Sequence, residues 1–274
     1  MVTNEIKTLF KVIVLNICVS TTFLLSQSHG VNWILGFANN NDTSVFGRTI
    51  LDFSTGSLKL TRNSGGYRFA LGFENNSFSD EQGNLRYFYD GFRLGNAIDY
   101  NIVINGDTLN KGIIWQTYNG ALYPISDASV FIPPLKEDSI LLLFHLSLDF
   151  VPGIQYPISP HLFLTRVNME SNNGKGKVIS KNEPVFNGTL LPIVLSACRH
   201  SNGEDWWSIC KNYKGPTYYK FLIHKNKLFN SDSQIIGNSI LDYSTVGNSV
   251  FSPDGRKFVR ISNLDGLQIF DFDR

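Results

Sequence analysis

The densest gathering of chemically able side chains is Cys198-Arg199-His200-Ser201-Asn202-Gly203-Glu204-Asp205-Trp206-Trp207. A cation, an imidazole, two carboxylates and two indoles stand together in one short segment. One reading makes it a ligand surface. Trp206 or Trp207 would stack on a sugar ring or a peptide while Arg199, His200 and Asp205 hydrogen-bond it. The other reading is structural: His200 and Asp205 lock a turn, and one Trp fills a core. Alternation along a strand sends Trp206 and Trp207 to opposite faces, so at most one can face a given core.

Other chemistry finds thinner support. The sequence holds no G-x-S-x-G elbow, no H-E-x-x-H and no G-x-x-x-x-G-K-[ST]. Asp80, Asp90, Asp254 and Asp265 stand beside turns, but none has the D-x-[DN]-x-[DN]-G spacing of a calcium loop. Cys198 and Cys210 lack the His pair of a zinc site. No metal and no cofactor are expected. His145 sits in Leu143-Phe144-His145-Leu146, the setting of a strand histidine with its ring satisfied. With 24 basic against 23 acidic residues, no electrostatic drive toward nucleic acid is implied.

The elements that must position these residues are strands. The chain has 274 residues, with 21 Phe and 11 Tyr against 2 Met, a balance that favours pleated surfaces. No long stretch carries apolar residues at helical spacing. Short runs such as Thr49–Phe53, Leu85–Tyr89, Ile140–Phe144, His161–Thr165, Tyr218–Ile223 and Leu267–Phe270 alternate with turn pairs such as Gln82-Gly83-Asn84, Asn105-Gly106, Asn187-Gly188 and Asp254-Gly255. Asn and Gly accept the positive φ of tight hairpins. Lys7 and Lys11 ahead of the apolar run Val12–Leu25 predict a signal peptide over residues 1–30, cleaved between Ser26 and Gly30. Export makes Cys198–Cys210 a disulfide candidate worth about 3 kcal/mol. Paired or free buried thiols are equally open.

Repetition narrows the architecture. Ser79-Asp80-Glu81-Gln82-Gly83-Asn84-Leu85 leads through a strand to Tyr89-Asp90-Gly91-Phe92, and Ser252-Pro253-Asp254-Gly255-Arg256-Lys257-Phe258 leads through another to Leu264-Asp265-Gly266-Leu267. Leu51-Asp52-Phe53-Ser54-Thr55 is echoed by Leu241-Asp242-Tyr243-Ser244-Thr245. Residues 31–274 are therefore expected to form an all-β propeller of four-stranded antiparallel blades, about four to five and incomplete. The abrupt end suggests a fragment of a longer protein.

Ser252-Pro253-Asp254-Gly255 resembles the turn of a broad class of propeller repeats. Ser79–Asn96, Asn105–Asn110, Arg199–Trp207, Thr217–Leu222 and Gly266–Arg274 together resemble exported propeller-like proteins of Bacteroidetes, which often carry a C-terminal type IX secretion sorting domain. The resemblance implies an extracellular or cell-surface location and implies no activity; no sorting domain is present in this sequence. The leading functional expectation is a non-catalytic module binding an unknown protein or glycan, with no transmembrane segment once the signal is removed. The competing reading is a propeller hydrolase or lyase, with or without a metal, working at the axis.

Overall fold

The computed structural model describes residues 28–37, 47–64, 68–118, 121–135, 138–154, 157–239, 247–263 and 266–274. The candidate signal run, the Leu241–Thr245 echo and Asp265 lie outside these residues. The described chain is all-β, in several antiparallel sheets. One short helix, α1 (Ile113–Tyr118), interrupts it, too brief for the sequence to betray by periodicity.

The first sheet holds β1 (Asn32–Phe37), β2 (Gly47–Asp52), β3 (Lys59–Ser64) and β4 (Ala70–Leu71) in the order β3-β2-β1-β4. The remaining chain runs as meanders. The strands β5 (Asn76–Ser79), β6 (Leu85–Tyr89) and β7 (Leu94–Asn96) form one, with Ile102 bridging to Gly95 at its edge. Seven strands form the next sheet: β8 (Ser129–Ile132), β9 (Ile140–Leu146), β10 (Ser159–Asn168), β11 (Lys177–Arg199), β12 (Trp206–Asn212), β13 (Thr217–His224) and β14 (Lys227–Ile235). Last come β15 (Gly247–Phe251), β16 (Lys257–Ser262) and β17 (Gly266–Asp271).

β11 explains why two meanders share one sheet. Its first half pairs with β10 as far as Leu190↔Ser159, and its second half pairs with β12 from Leu190↔Asn212 onward. Asn187-Gly188, read from sequence as a turn, therefore lies inside a strand. Register shifts along the β10 pairing and the left-handed Asn182 (φ 55°) absorb the bend that a turn was expected to make. Pro160 likewise sits inside β10, at its second position, where the start of a strand tolerates a missing N–H.

The strands that lead the meanders touch one another in chain order: β5 on β8, β8 on β11, and β11 on β15. Small polar side chains stitch these neighbours. Asn76 Nδ2 donates to Ser129 O (2.9 Å), and Ser196 Oγ donates to Ser249 O (2.7 Å). Apolar clusters fill the spaces between sheets, one around Leu142, Phe144, Leu162 and Phe221 and another around Ile193, Ile209, Tyr218 and Phe258.

Cys198 and Cys210, the two cysteines among the described residues, are both buried and free. The expected disulfide is corrected by the register: Cys198 faces Trp207, whereas Cys210 faces Leu195. An offset of three residues separates the two by about 10 Å along the sheet and turns their side chains to opposite faces, so no bond can form. They sit in different cores. Burial pushes the Cys198 thiol up to about 12 and raises Cys210 as well. An aromatic disulfide reagent should leave both thiols untouched in the native protein and modify both after denaturation without reductant. An intact mass two hydrogens lighter than the reduced chain would refute this.

Candidate functional site

The segment singled out by sequence closes into a turn between β11 and β12. The His200 N–H donates to Asp205 O (2.8 Å), Gly203 takes φ 79°, and the Asn202 amide oxygen accepts from the Glu204 and Asp205 N–H groups (3.0 Å each). Asp205 is held from two sides, by Asn202 Nδ2 and His224 Nδ1 (2.8 Å each). Burial would raise its carboxyl, but these hydrogen bonds outweigh burial and keep it below the ordinary value. The Arg199 guanidinium stands 5.3 Å from the Trp206 ring and His200 stands 5.7 Å from Trp207. Trp206 packs on one core and Trp207 on the other. Asp205 and His200 thus hydrogen-bond within the turn and to His224, and the partly buried indoles pack against the two cores.

Asp80, Asp90 and Asp254 are occupied in the same manner. Asp80 Oδ1 accepts from Gln82 and Asn84, Asp90 Oδ1 from Phe92 and Arg93, and Asp254 Oδ1 from Arg256. Gly91 permits the Asp90 turn to close on Tyr123, whose ring would lie 2.3 Å from an added Cβ. Among the described residues no group of three or more His, Cys, Asp or Glu side chains is arranged to hold a metal ion.

A different pair of carboxylates stands out, and sequence reasoning missed both. Glu74 lies two residues before β5 and Asp127 two residues before β8, so both sit where neighbouring strands begin. Glu74 is almost fully buried. Its Oε2 accepts from the Ala128 N–H (2.8 Å), and its Oε1 accepts from the Ser129 hydroxyl. Burial pushes Glu74 up to about 7, with these two hydrogen bonds opposing and the nearby Asp127 and Asp90 charges assisting. Asp127 holds a left-handed backbone (φ 52°). Its Oδ2 is shut from solvent without a hydrogen-bond partner among the described residues, and burial pushes its carboxyl up to about 7. Ser126 Oγ reaches Gly247 O (3.5 Å), which brings the start of β15 to the same place. Two carboxylates poised near neutrality can give and take protons at physiological pH. The only sequence signal was an acidic residue two positions ahead of a small polar residue, Glu74-x-Asn76 and Asp127-x-Ser129.

Neither protein-family models nor curated proteins match the chain. Solved structures do. A protein described as a putative 6-phosphogluconolactonase from Bacteroides fragilis is similar at 14% identity and TM-score 0.40, over 89% of this chain and 65% of that one. Hsv2 of Kluyveromyces lactis is similar at 13% identity and TM-score 0.31, over 82% and 67%. A second protein described as a putative 6-phosphogluconolactonase, from Bacteroides uniformis, is similar at 12% identity and TM-score 0.30, over 88% and 78%. This chain thus spans 65% of the length of the first of these. The expectation of a non-catalytic binding module is corrected: two of the three structures carry an enzyme's description. The binding reading drew on the absence of sequence motifs. Two carboxylates brought together from two distant strand openings leave no motif.

Proposed function

We propose that this chain is a hydrolase or lyase built on an incomplete propeller of about four to five blades, with Asp127 as its acid–base residue. The strand openings β5, β8, the second half of β11 and β15 lie side by side, each leading its own meander, which supports the radial reading. The observation that carries the functional reading is the Asp127 carboxyl: raised to about 7, with its buried Oδ2 unpartnered among the described residues, where three strands begin. Glu74, almost fully buried, is a positioning residue. It grips Ala128 and Ser129 and so fixes the segment from which Asp127 projects.

Hydrolysis of an ester or lactone needs a base to take a proton from water and an acid to return one to the leaving oxygen. One carboxyl titrating near neutrality serves both in turn. The test is proton release in weak buffer with aryl esters and δ-lactones as substrates. Asp127→Asn keeps the left-handed backbone, which Asn adopts readily. It should lower kcat/KM by about 100-fold or more, mostly through kcat. A native protein that turns over neither substrate class, or a variant as active as the native protein, would sink the reading.

A further inference from the structure

We infer that Asn173 is a site of spontaneous modification, the asparagine that the native fold selects for conversion to aspartate and isoaspartate. The inference is independent of the Asp127 carboxyl. An asparagine followed by glycine is chemically labile, because no Cβ hinders the glycine N–H from closing on the side-chain amide carbon. The sequence holds five such pairs: Asn105-Gly106, Asn119-Gly120, Asn173-Gly174, Asn187-Gly188 and Asn202-Gly203. Asn119-Gly120 lies outside the described residues.

Three of the others are locked. Asn105 Nδ2 donates to Val178 O (3.1 Å), and the Gly106 N–H donates to Val103 O (2.7 Å). Asn187 lies inside β11, with its Oδ1 accepting from His161 Nδ1 (2.7 Å). Asn202 is held at both ends of its amide, by Glu204 and Asp205, and the Gly203 N–H donates to His200 O (2.9 Å). Asn173 is different. It is exposed in the turn between β10 and β11, and its side-chain amide makes no hydrogen bond among the described residues. The Gly174 N–H has only a long bond, to Glu170 O (3.4 Å). Asn172 (φ 56°), Asn173 (φ 56°) and Gly174 (φ 81°) run left-handed in succession, a conformation that asparagine ordinarily adopts singly. Rotation of Asn173 out of it relieves an unfavourable backbone.

The chemistry needs only water. Water or hydroxide takes the Gly174 N–H proton while the nitrogen attacks Asn173 Cγ. The Cγ–Nδ2 bond breaks, ammonia leaves with a proton, and a cyclic succinimide remains. A second water opens the ring. Opening at Cγ gives aspartate, and opening at the main-chain carbonyl gives isoaspartate, whose backbone runs through Cγ and is one methylene longer. That extra methylene falls where the turn docks on the neighbouring meander. Tyr87 Oη of β6 donates to Met169 O (3.3 Å) and Gly174 O (3.4 Å), and Lys175 pairs with Asp99 (2.8 Å). A Cβ on Gly176 would stand 2.7 Å from Tyr87 Oη, so the turn has no slack against that ring. Isoaspartate at 173 therefore loosens this joint, whereas aspartate keeps the backbone length.

Incubating the whole protein in heavy-oxygen water at mildly alkaline pH, native and in urea, followed by peptide mapping, reads the selection. In the native protein Asn173 should gain labelled aspartate and isoaspartate about tenfold or more faster than Asn105, Asn187 and Asn202, which must first open locally. In urea all four should react at similar rates. The isoaspartate form, separated by chromatography, should exchange the amides of Met169–Gly176 faster than native protein, and the Asn173→Asp variant should not. A native Asn173 that reacts no faster than the locked three, or that stays intact while the unfolded chain reacts, would overturn the assignment. Equal amide exchange in the isoaspartate form and in Asn173→Asp would overturn the loosening of the joint.

Discussion

Asn110→Ala should lower the unfolding free energy by about 3–4 kcal/mol, among the larger losses a single substitution causes. Asn110 is the hub of a buried polar network. Its Nδ2 donates to Tyr89 Oη (3.0 Å), Gly91 O (3.1 Å) and Tyr123 Oη (3.3 Å), while its Oδ1 accepts from His145 Nδ1 (2.7 Å). The tautomer follows from that last bond. With the proton on Nδ1, the bare Nε2 accepts from Thr165 Oγ1 (2.9 Å), and Thr165 Oγ1 in turn accepts from the Asn182 N–H (3.3 Å). Burial pushes His145 down to about 3, so the ring is neutral at any ordinary pH.

Truncation at Asn110 strands these partners unequally. Tyr89 Oη still donates to Gly91 O (2.7 Å) and Tyr123 Oη to Leu146 O (3.1 Å). The His145 Nδ1–H loses its acceptor inside a core that water does not reach, costing about 1–3 kcal/mol. The left-handed backbone of Asn110 (φ 53°) costs alanine about 1 kcal/mol more. Asn110→Gly separates the two contributions, because glycine accepts the backbone and still orphans the imidazole. It should lose about 1 kcal/mol less than the alanine variant. Urea unfolding followed by tryptophan fluorescence reads both. A loss below about 1 kcal/mol for Asn110→Ala would show that the network is not a stabilising unit.

What the sequence made legible was local. Leu85–Tyr89 is β6 residue for residue, and the runs at Ile140, His161, Tyr218 and Leu267 all fall within strands. Period-two alternation and β-branched or aromatic composition act over a few residues, so they read off directly. The turn aspartates were legible for the same reason, since an Asx turn is closed by the residue's own neighbours. The illegible parts depend on distant partners. Asn187-Gly188 has turn chemistry, but Phe186 and Asn187 are claimed by Leu162 and His161 of β10, and the ladder wins over the local preference. The Cys198–Cys210 spacing allowed a bond that only the β11–β12 register forbids. Glu74 and Asp127 are separated by most of a meander and share no motif; only the neighbouring positions of β5 and β8 bring them together.

Glu74→Gln should make the protein more stable than the native sequence at pH 8, by about 2–3 kcal/mol, and leave it nearly unchanged at pH 4. The folded state raises Glu74 from its ordinary 4.5 to about 7. A folded protein therefore holds that proton across the interval in which an unfolded chain has released it. The stabilising contribution is complete below pH 4.5, falls as pH rises through 7, and is gone above it. Glutamine is uncharged throughout. Its oxygen can accept the Ala128 N–H and its amide can donate to the Ser129 hydroxyl, so both native contacts survive with one polarity reversed. Asp127 contributes a slope of the same sign, raised from 3.8 to about 7, and should leave a residual decline in the Glu74→Gln variant. Urea midpoints at pH 4, 6 and 8 for both proteins check this. An unchanged slope, or a variant weaker than the native chain at pH 8, would mean that Glu74 ionises as freely as a surface carboxylate. The alkaline instability expected of these carboxyls and the acid–base capacity proposed for Asp127 have one origin, because the desolvation that opposes charge on them is also what keeps a proton available near neutral pH.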